Sequence, residues 1–487
     1  MIQGYDPRTG EPAGEPVPET TGAEVDAAAQ AAAQASGPWE QAGPAARAAA
    51  LEAAAAALDG AAADLVAAAD TETALGTARL TGEVARTTGQ LRHFAAVLAD
   101  GGYADVVDSP GGDGVPGLRR VNRPVGPVAV FAASNFPFAF SVAGNDTASA
   151  LAAGCPVVVK AHEGHPRTSL LTARIVAEAL AGAGAPAGTF AVVYGVDAGV
   201  ALLNHPAIAA AGFTGSARGG MALAAICAQR PVPIPFFGEL GSVNPVVVLP
   251  GAASARPGEI ASGYAASLTL GTGQFCTNPG LLFVPAGEDQ LLTAIAEAIR
   301  ASTGGPMLTA RIHDSYTAAI AELDARPGLA GLAEGHPGQG PWSATPRVYQ
   351  ADLADFAAGL PGLAQERFGP AGLVITYPSV ADLLPVLRRL GGNLAGVIHA
   401  DQASPADMEL AGRVSQVLAR TVGRVVFNGW PTGVAVTRAQ HHGGPWPAST
   451  APAFTSVGAA AIRRWLVPVA YQDFPAELLP AALRPAS

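Results

Sequence analysis

The stretch Gly273-Gln274-Phe275-Cys276-Thr277-Asn278-Pro279-Gly280 places a cysteine in a glycine-bounded loop after a helical run. Such a setting exposes a thiol to a cleft. Cysteine is by default a small buried apolar residue. Cys155, just before a strand, and Cys227, on an apolar helix, fit that default. Cys276 does not, because its neighbours are loop formers whose backbone N–H groups can stabilise a thiolate and later an oxyanion. Thirty-seven residues earlier (276 − 239) stands Glu239, in Phe236-Phe237-Gly238-Glu239-Leu240-Gly241. A glutamate at a strand end is most often solvated or a cap. Between apolar residues and glycines it is desolvated instead, so its pKa rises and it can act as a base near neutral pH. A thiol and such a base together suggest covalent catalysis through a thioester.

Three further motifs follow strands. Asn135, in Ala133-Ser134-Asn135-Phe136-Pro137-Phe138, is either a turn asparagine or an amide donor to an oxyanion, worth ~3 kcal/mol. The loop Phe213-Thr214-Gly215-Ser216-Ala217-Arg218-Gly219-Gly220 joins a strand to a helix and suits a phosphate at the helix N-terminus. It departs from the usual Gly-x-Gly-x-x-Gly fingerprint. Lys160 ends a strand and is either a surface cation or a group in reach of ribose hydroxyls. His162 and His165 stand three apart, but no further ligand cluster accompanies them, so no metal is expected.

The elements that must position these residues read as an α/β fold. Apolar runs of strand length occur at Val128 to Ala132, Val157 to Lys160, Phe190 to Tyr194 and Ala210 to Phe213. Helical patterns lie between them, and more precede them: Val25 to Ala35, one long stretch Ala45 to Ala69, and Glu83 to Leu98. Continuous apolar strands alternating with helices indicate a parallel sheet covered on both faces. A second series starts at Pro245 and continues at Leu281, Gly372, Ala395 and Arg424. Two strand-like runs, Leu118 to Val128 and Arg463 to Tyr471, close neither series and are expected to pair with each other or with a second subunit.

Composition sets the outer bounds. A chain of 487 residues can hold two or three domains. With 49% apolar and only 14% charged residues it is not a disordered polyelectrolyte. No apolar run reaches the ~18 residues of a membrane span, and no charged-then-apolar leader opens the chain, so neither membrane insertion nor export is expected. Its three cysteines fit free thiols in a reducing cytoplasm. The net charge of −11, without a block of Lys or Arg, gives no nucleic-acid footprint.

Taken in order, Ser134-Asn135-Phe136-Pro137, Lys160, Phe213-Thr214-Gly215-Ser216, Glu239-Leu240-Gly241, Gly273-Gln274-x-Cys276 and Glu366-Arg367-Phe368-Gly369-Pro370 resemble the aldehyde dehydrogenase superfamily over nearly the whole chain. The resemblance implies two Rossmann-like parallel-sheet domains plus a small oligomerisation β element. Residues 1–116 and 129–240 would form the dinucleotide-binding domain and 241–462 the catalytic domain. Residues 117–128 and 463–487 would form the oligomerisation segments of a homodimer or homotetramer. The implied reaction is NAD(P)-dependent oxidation of an aldehyde to a carboxylic acid through a cysteine thiohemiacetal and thioester. Cys276 would be the nucleophile and Glu239 the general base, with Asn135 and the Cys276 N–H forming the oxyanion hole. Lys160 and Glu366 would hold the ribose hydroxyls, Phe368 would flank the nicotinamide, and Gly215 and Ser216 would face the pyrophosphate. Glu163 would favour NAD by accepting from the 2′-hydroxyl, and Met221 stands where NADP users carry arginine. Arg218 pulls towards NADP, since it could pair with a 2′-phosphate. The balance favours NAD.

A narrower resemblance, to the ketoglutarate semialdehyde (2,5-dioxopentanoate) and fatty aldehyde dehydrogenase branch, rests on Asn428-Gly429-Trp430-Pro431-Thr432-Gly433-Val434, His442-Gly443-Gly444-Pro445-Trp446-Pro447 and Thr455-Ser456-Val457-Gly458. That branch has Asp-x-Arg before the last motif, whereas this chain has Ala451-Pro452-Ala453-Phe454. Without that cation, a channel lined by Phe136, Phe138, Phe140, Trp430, Trp446 and Phe454 is expected to prefer medium-chain or aromatic aldehydes. Arg119, Arg120 and Arg123 are the first candidates for a replacement cation. Two other readings compete. Acyl transfer to CoA would not need Glu239, and a non-catalytic structural or interaction protein would need none of Cys276, Asn135 and Glu239.

Overall fold

In the computed structural model, which describes residues 1–484, the valine-rich runs lie where burial on both faces demands them. Five strands form an all-parallel sheet in the order Phe190–Val193, Val157–Lys160, Val128–Phe131, Ala210–Thr214, Phe236–Glu239. Ala129, Phe131 and Val158 pack on one face against Val25, Ala29, Leu202, Leu203 and Cys227. Val128, Val130, Val157 and Val159 pack on the other, against Leu51, Leu91, Phe94 and Leu180. Register then places the chemistry. Phe131 pairs with Lys160 and with Phe213, and Thr214 pairs with Glu239. Lys160, the Gly215 loop and Glu239 therefore share the carboxyl edge of one sheet, where open α/β sheets bind ligands.

The second sheet has seven strands in the order Ala330–Glu334, Arg347–Asp352, Ala371–Tyr377, Leu281–Pro285, Pro245–Val248, Asn393–His399, Val422–Phe427. All its pairings are parallel except the first. Ala330–Glu334 and Arg347–Asp352 escape the sequence reading because the outer one is largely exposed and neither is a continuous apolar run.

The expected long helix Ala45 to Ala69 is two helices, Gly43–Gly60 and Ala62–Thr73, broken at Ala61. Gly60 has low helix propensity, which weakens the chain at that point. The two unplaced strand runs do pair with each other: Leu118–Pro124 lies between Val107–Ser109 and Leu466–Gln472 in an antiparallel ribbon, with Val121 opposite Val469. Val128, at the end of the first run, instead begins a strand of the five-stranded sheet. Residues 485–487 of the proposed oligomerisation segment lie outside the described residues.

The ribbon also corrects the search for a replacement cation. Arg119 donates to Asp108 at 3.1 Å and Arg120 to Asp105 at 2.7 Å. Arg123 grips both carboxylate oxygens of Glu40 at 2.7 and 2.8 Å. All three are committed to acids on or beside the ribbon, away from the cysteine loop.

Candidate active site

The cysteine loop is built by backbone strain and side-chain clamps. After the helix Pro257–Thr269, the residues Gly271, Thr272 and Gly273 adopt φ of 55°, 56° and 67°. At Gly273 a Cβ would lie 2.3 Å from the Gly369 carbonyl, so only glycine lets this loop press against Phe368-Gly369-Pro370. Asn244 donates from Nδ2 to the carbonyls of Cys276, at 2.8 Å, and Asn278, at 2.9 Å. Gln274 Oε1 accepts from the Leu308 N–H at 2.9 Å.

Within this loop Cys276 Sγ lies 3.7 Å from Nε2 of His442. His442 is buried, and its pKa is pushed down to about 3 by burial first, then by Arg424, Arg86, His441 and Arg464. A neutral imidazole can accept the thiol hydrogen. The thiol itself is pushed up to about 12, by burial first and then by the charges of Glu366 and Glu239. A backbone hydrogen bond and Arg86 oppose the rise, but burial and two carboxylates outweigh them.

Glu239 ends its strand 5% exposed and bridges to Ser449. Its Oε2 has no hydrogen-bond partner among the described residues. Burial holds its pKa well above the ordinary value. Asp146 adds to the rise, while Arg464, which is bound to Asp146, opposes it. A Cβ on Gly443 would sit 3.6 Å from Glu239 Oε1. The His442-Gly443 pair therefore lies next to both groups, His442 at the thiol and Gly443 beside the carboxylate.

Asn135 donates from Nδ2 to the Gln274 carbonyl at 3.0 Å, which docks it on the cysteine loop. One helix fixes that turn. On Thr77–Asp100, Arg79 donates to the Asn135 carbonyl at 2.6 Å, and Glu83 Oε1 accepts from the N–H groups of Phe138 and Ala139 at 2.9 and 3.0 Å. Arg86 lies on the same helix face, and its cation touches the rings of Phe136 and Phe140. Sequence reasoning missed Arg79, Glu83, Arg86 and the role of His442. The spacing of 79, 83 and 86 was a legible sign of one charged helix stripe, but not of which way it faces.

Of the six aromatics proposed for the channel, Phe136 meets Phe275 at 5.4 Å and Phe140 meets His442 at 6.2 Å, centroid to centroid. Phe138 is a core residue, Phe454 packs on Phe237, Trp430 packs on His399 and Tyr264, and Trp446 is 56% exposed.

The residues proposed for the dinucleotide form a second group. Lys160, 8% exposed, is bound to the Glu163 carboxylate. Gly215 and Ser216 are exposed in the loop after Ala210–Thr214, and Arg218 is exposed in the first turn of the helix that follows. Ser216 caps the helix Ala217–Gln229 by accepting from the Gly219 N–H at 3.2 Å. The N–H groups of Ala217 and Arg218 have no protein acceptor among the described residues, which fits an anion such as a pyrophosphate. Glu366 is turned inward. Its Oε1 accepts from the Ser242 N–H at 3.4 Å, it packs where Gly241 has no side chain, and burial pushes it up to about 7. Phe368 and Glu366 line a cavity of about 10 Å³ with Phe275 and Asn278, room for about one water. His165 is a satisfied structural residue, 3.1 Å from both Ser169 Oγ and the Ala133 carbonyl.

The chain matches the aldehyde dehydrogenase family over residues 1–445. It is 45% identical over 449 residues to alpha-ketoglutaric semialdehyde dehydrogenase 2 of Azospirillum brasilense, covering 90% of this chain and 85% of that one. It is also 45% identical over 411 residues to alpha-ketoglutaric semialdehyde dehydrogenase of Acinetobacter baylyi, covering 83% and 77%. Among solved structures, an NADP dependent enzyme of E. coli superposes with a TM-score of 0.82 at 23% identity, covering 97% of this chain and 94% of that one, a likeness of fold. Proline utilization A of Bradyrhizobium japonicum superposes with a TM-score of 0.79 at 25% identity over 94% of this chain, which spans 45% of that longer protein. The α/β architecture with its two parallel sheets, and the match over most of the chain, make this protein a member of the aldehyde dehydrogenase family, an enzyme that oxidises an aldehyde.

Proposed function

We propose that the chain oxidises an aldehyde whose far end carries a carboxylate, with alpha-ketoglutaric semialdehyde (2,5-dioxopentanoate) as the leading substrate and NAD as cofactor. The contact of Cys276 Sγ with His442 Nε2, 3.7 Å apart beside buried Glu239, carries the chemical part of this reading. The substrate is supported by two relatives of that name at 45% identity.

Cys276 loses its thiol proton to solvent and attacks the carbonyl as the thiolate, with His442 Nε2 beside the sulfur. Asn135 Nδ2, leaving the Gln274 carbonyl, and the Cys276 N–H donate to the oxyanion. NAD, when bound, supplies the hydride acceptor. Gly215, Ser216 and the first turn of Ala217–Gln229 would hold its pyrophosphate, Lys160, Glu163 and Glu366 would hold its riboses, and Phe368 would flank the nicotinamide. Glu239 then takes a proton from the water that hydrolyses the Cys276 thioester. No helix among the described residues is long and apolar enough to cross a membrane. The free thiols suit a reducing cytoplasm. The antiparallel ribbon, with Val107, Leu118 and Val467 about two-fifths exposed, is the face assigned to self-association as a homodimer or homotetramer.

The substrate is tested by kcat/KM for 2,5-dioxopentanoate against hexanal, octanal and benzaldehyde. A preference of about tenfold or more for the anion is expected, about 1.4 kcal/mol in transition-state binding. Equal or better use of the apolar aldehydes would overturn it. For the cofactor, KM for NADP should exceed KM for NAD, and Glu163→Gln should narrow the gap. A wild-type enzyme that prefers NADP would reverse the assignment.

A further inference from the structure

We propose that Arg86 is the specificity-determining residue that receives the far carboxylate of the substrate; this rests on the aldehyde-oxidising reading above. Arg86 lies on the helix Thr77–Asp100, and its Nε and Nη2 are buried with no hydrogen-bond partner. A guanidinium cannot escape such a position by losing its proton. Buried donors without acceptors are costly, and an anion is the acceptor that would also answer the charge.

No protein carboxylate hydrogen-bonds these donors among the described residues. Glu83, one turn away on the same helix, spends Oε1 on the N–H groups of Phe138 and Ala139 and leaves Oε2 without a partner, so its charge offsets that of Arg86 only from a distance. The Arg86 carbon sits 5.9 Å from the Phe136 ring and 5.7 Å from the Phe140 ring. Those contacts hold the cation without using its N–H donors. Phe140 in turn stands against His442, and His442 against Cys276 Sγ. The charge of Arg86 reaches the thiol, whose pKa rise it opposes. Of the other cations near the thiol, Arg424 donates to the carbonyls of Gly433 and Pro431, and Arg79 donates from Nη2 to the Asn135 carbonyl and stacks on Phe275, which leaves Nη1 alone unpartnered against two such atoms on Arg86. Arg86 thus restores, from a different element, the positive charge that Ala453 leaves out of the motif before Thr455-Ser456-Val457-Gly458.

The test compares Arg86→Met and Arg86→Lys with the wild type on two anionic aldehydes, 2,5-dioxopentanoate and succinic semialdehyde, and on neutral pentanal and hexanal. Arg86→Met should lower kcat/KM for both anions roughly a hundredfold or more, mainly through KM. Its loss on the neutral aldehydes should be much smaller, so that the anion-to-neutral ratio of kcat/KM falls about thirtyfold or more. Arg86→Lys should recover part of the loss, because a point charge replaces a bidentate fork. Equal losses on neutral and anionic aldehydes, or none on either, would overturn the assignment. A second measurement needs no turnover: protection of Cys276 from iodoacetamide by glutarate. Glutarate should slow alkylation in the wild type and not in Arg86→Met, with unchanged melting temperature in both. Equal protection overturns the role of Arg86. If the wild type oxidises no aldehyde yet glutarate protects it alone, the aldehyde reading fails and the anion site stands.

Discussion

Cys276→Ala removes aldehyde oxidation, by roughly 10⁴-fold or more in kcat, and leaves the fold intact. The loss is large because Sγ is the atom that bonds the substrate, and nothing beside it can substitute. His442, whose Nε2 lies 3.7 Å away, is an imidazole and cannot form the thioester. The cost in stability is small, about 1 kcal/mol, since the part-exposed loop is held by Asn244, Gln274 and Asn278 rather than by the thiol. Nicotinamide absorbance measures the turnover, and quenching of tryptophan fluorescence by NAD measures retained binding. Cys155→Ser and Cys227→Ser should do the reverse, lowering the melting temperature with turnover per folded molecule kept, because both thiols are buried in core clusters. Wild-type turnover in Cys276→Ala would end the assignment of nucleophile.

Glu239→Gln should acylate and then stall. The amide keeps the shape of the carboxyl but cannot take a proton from water. Rapid mixing should show a burst of about one reduced nicotinamide per site, followed by a steady state slowed roughly a hundredfold or more. Unchanged steady-state turnover would move the base elsewhere, to Glu366 first. In the wild type, deacylation should fail as pH drops through the raised pKa of Glu239, well above the ordinary carboxylate range.

The same substitution should raise stability at neutral and alkaline pH. The unfolded chain releases the Glu239 proton at about 4.3. The folded chain keeps it to a higher pH, because burial disfavours the charge and Asp146 adds to the effect against Arg464. Between those two values the native state binds more protons than the unfolded state, so wild-type stability falls as pH rises. Glu239→Gln escapes that loss. Its melting temperature should exceed that of the wild type at pH 8 and converge with it near pH 4. A variant less stable than the wild type at pH 8 would show that the carboxylate is held by partners rather than stranded by burial.

Much of this enzyme was legible in its sequence. Valine runs without alternation, such as Val157 to Lys160, can only be strands covered on both faces, and their alternation with helices fixes a parallel sheet. A cysteine among Gly, Asn and Pro, and a glutamate between phenylalanine and glycine, announce their settings through neighbours one to three positions away. Those are local facts, carried by the chain over a few bonds. What the fold decided is how distant segments meet. His442 reaches Cys276 across a separation of 166 residues, and the strand register alone brings Lys160 and Glu239 to one sheet edge. Spacing put Arg79, Glu83 and Arg86 on one helix face, but only packing turned that face towards the cysteine loop. The missing arginine near Ala453 could be read from the sequence, whereas its replacement could not. A side chain's partner depends on which elements pack together, and its charge matters only once burial has removed the water that would screen it.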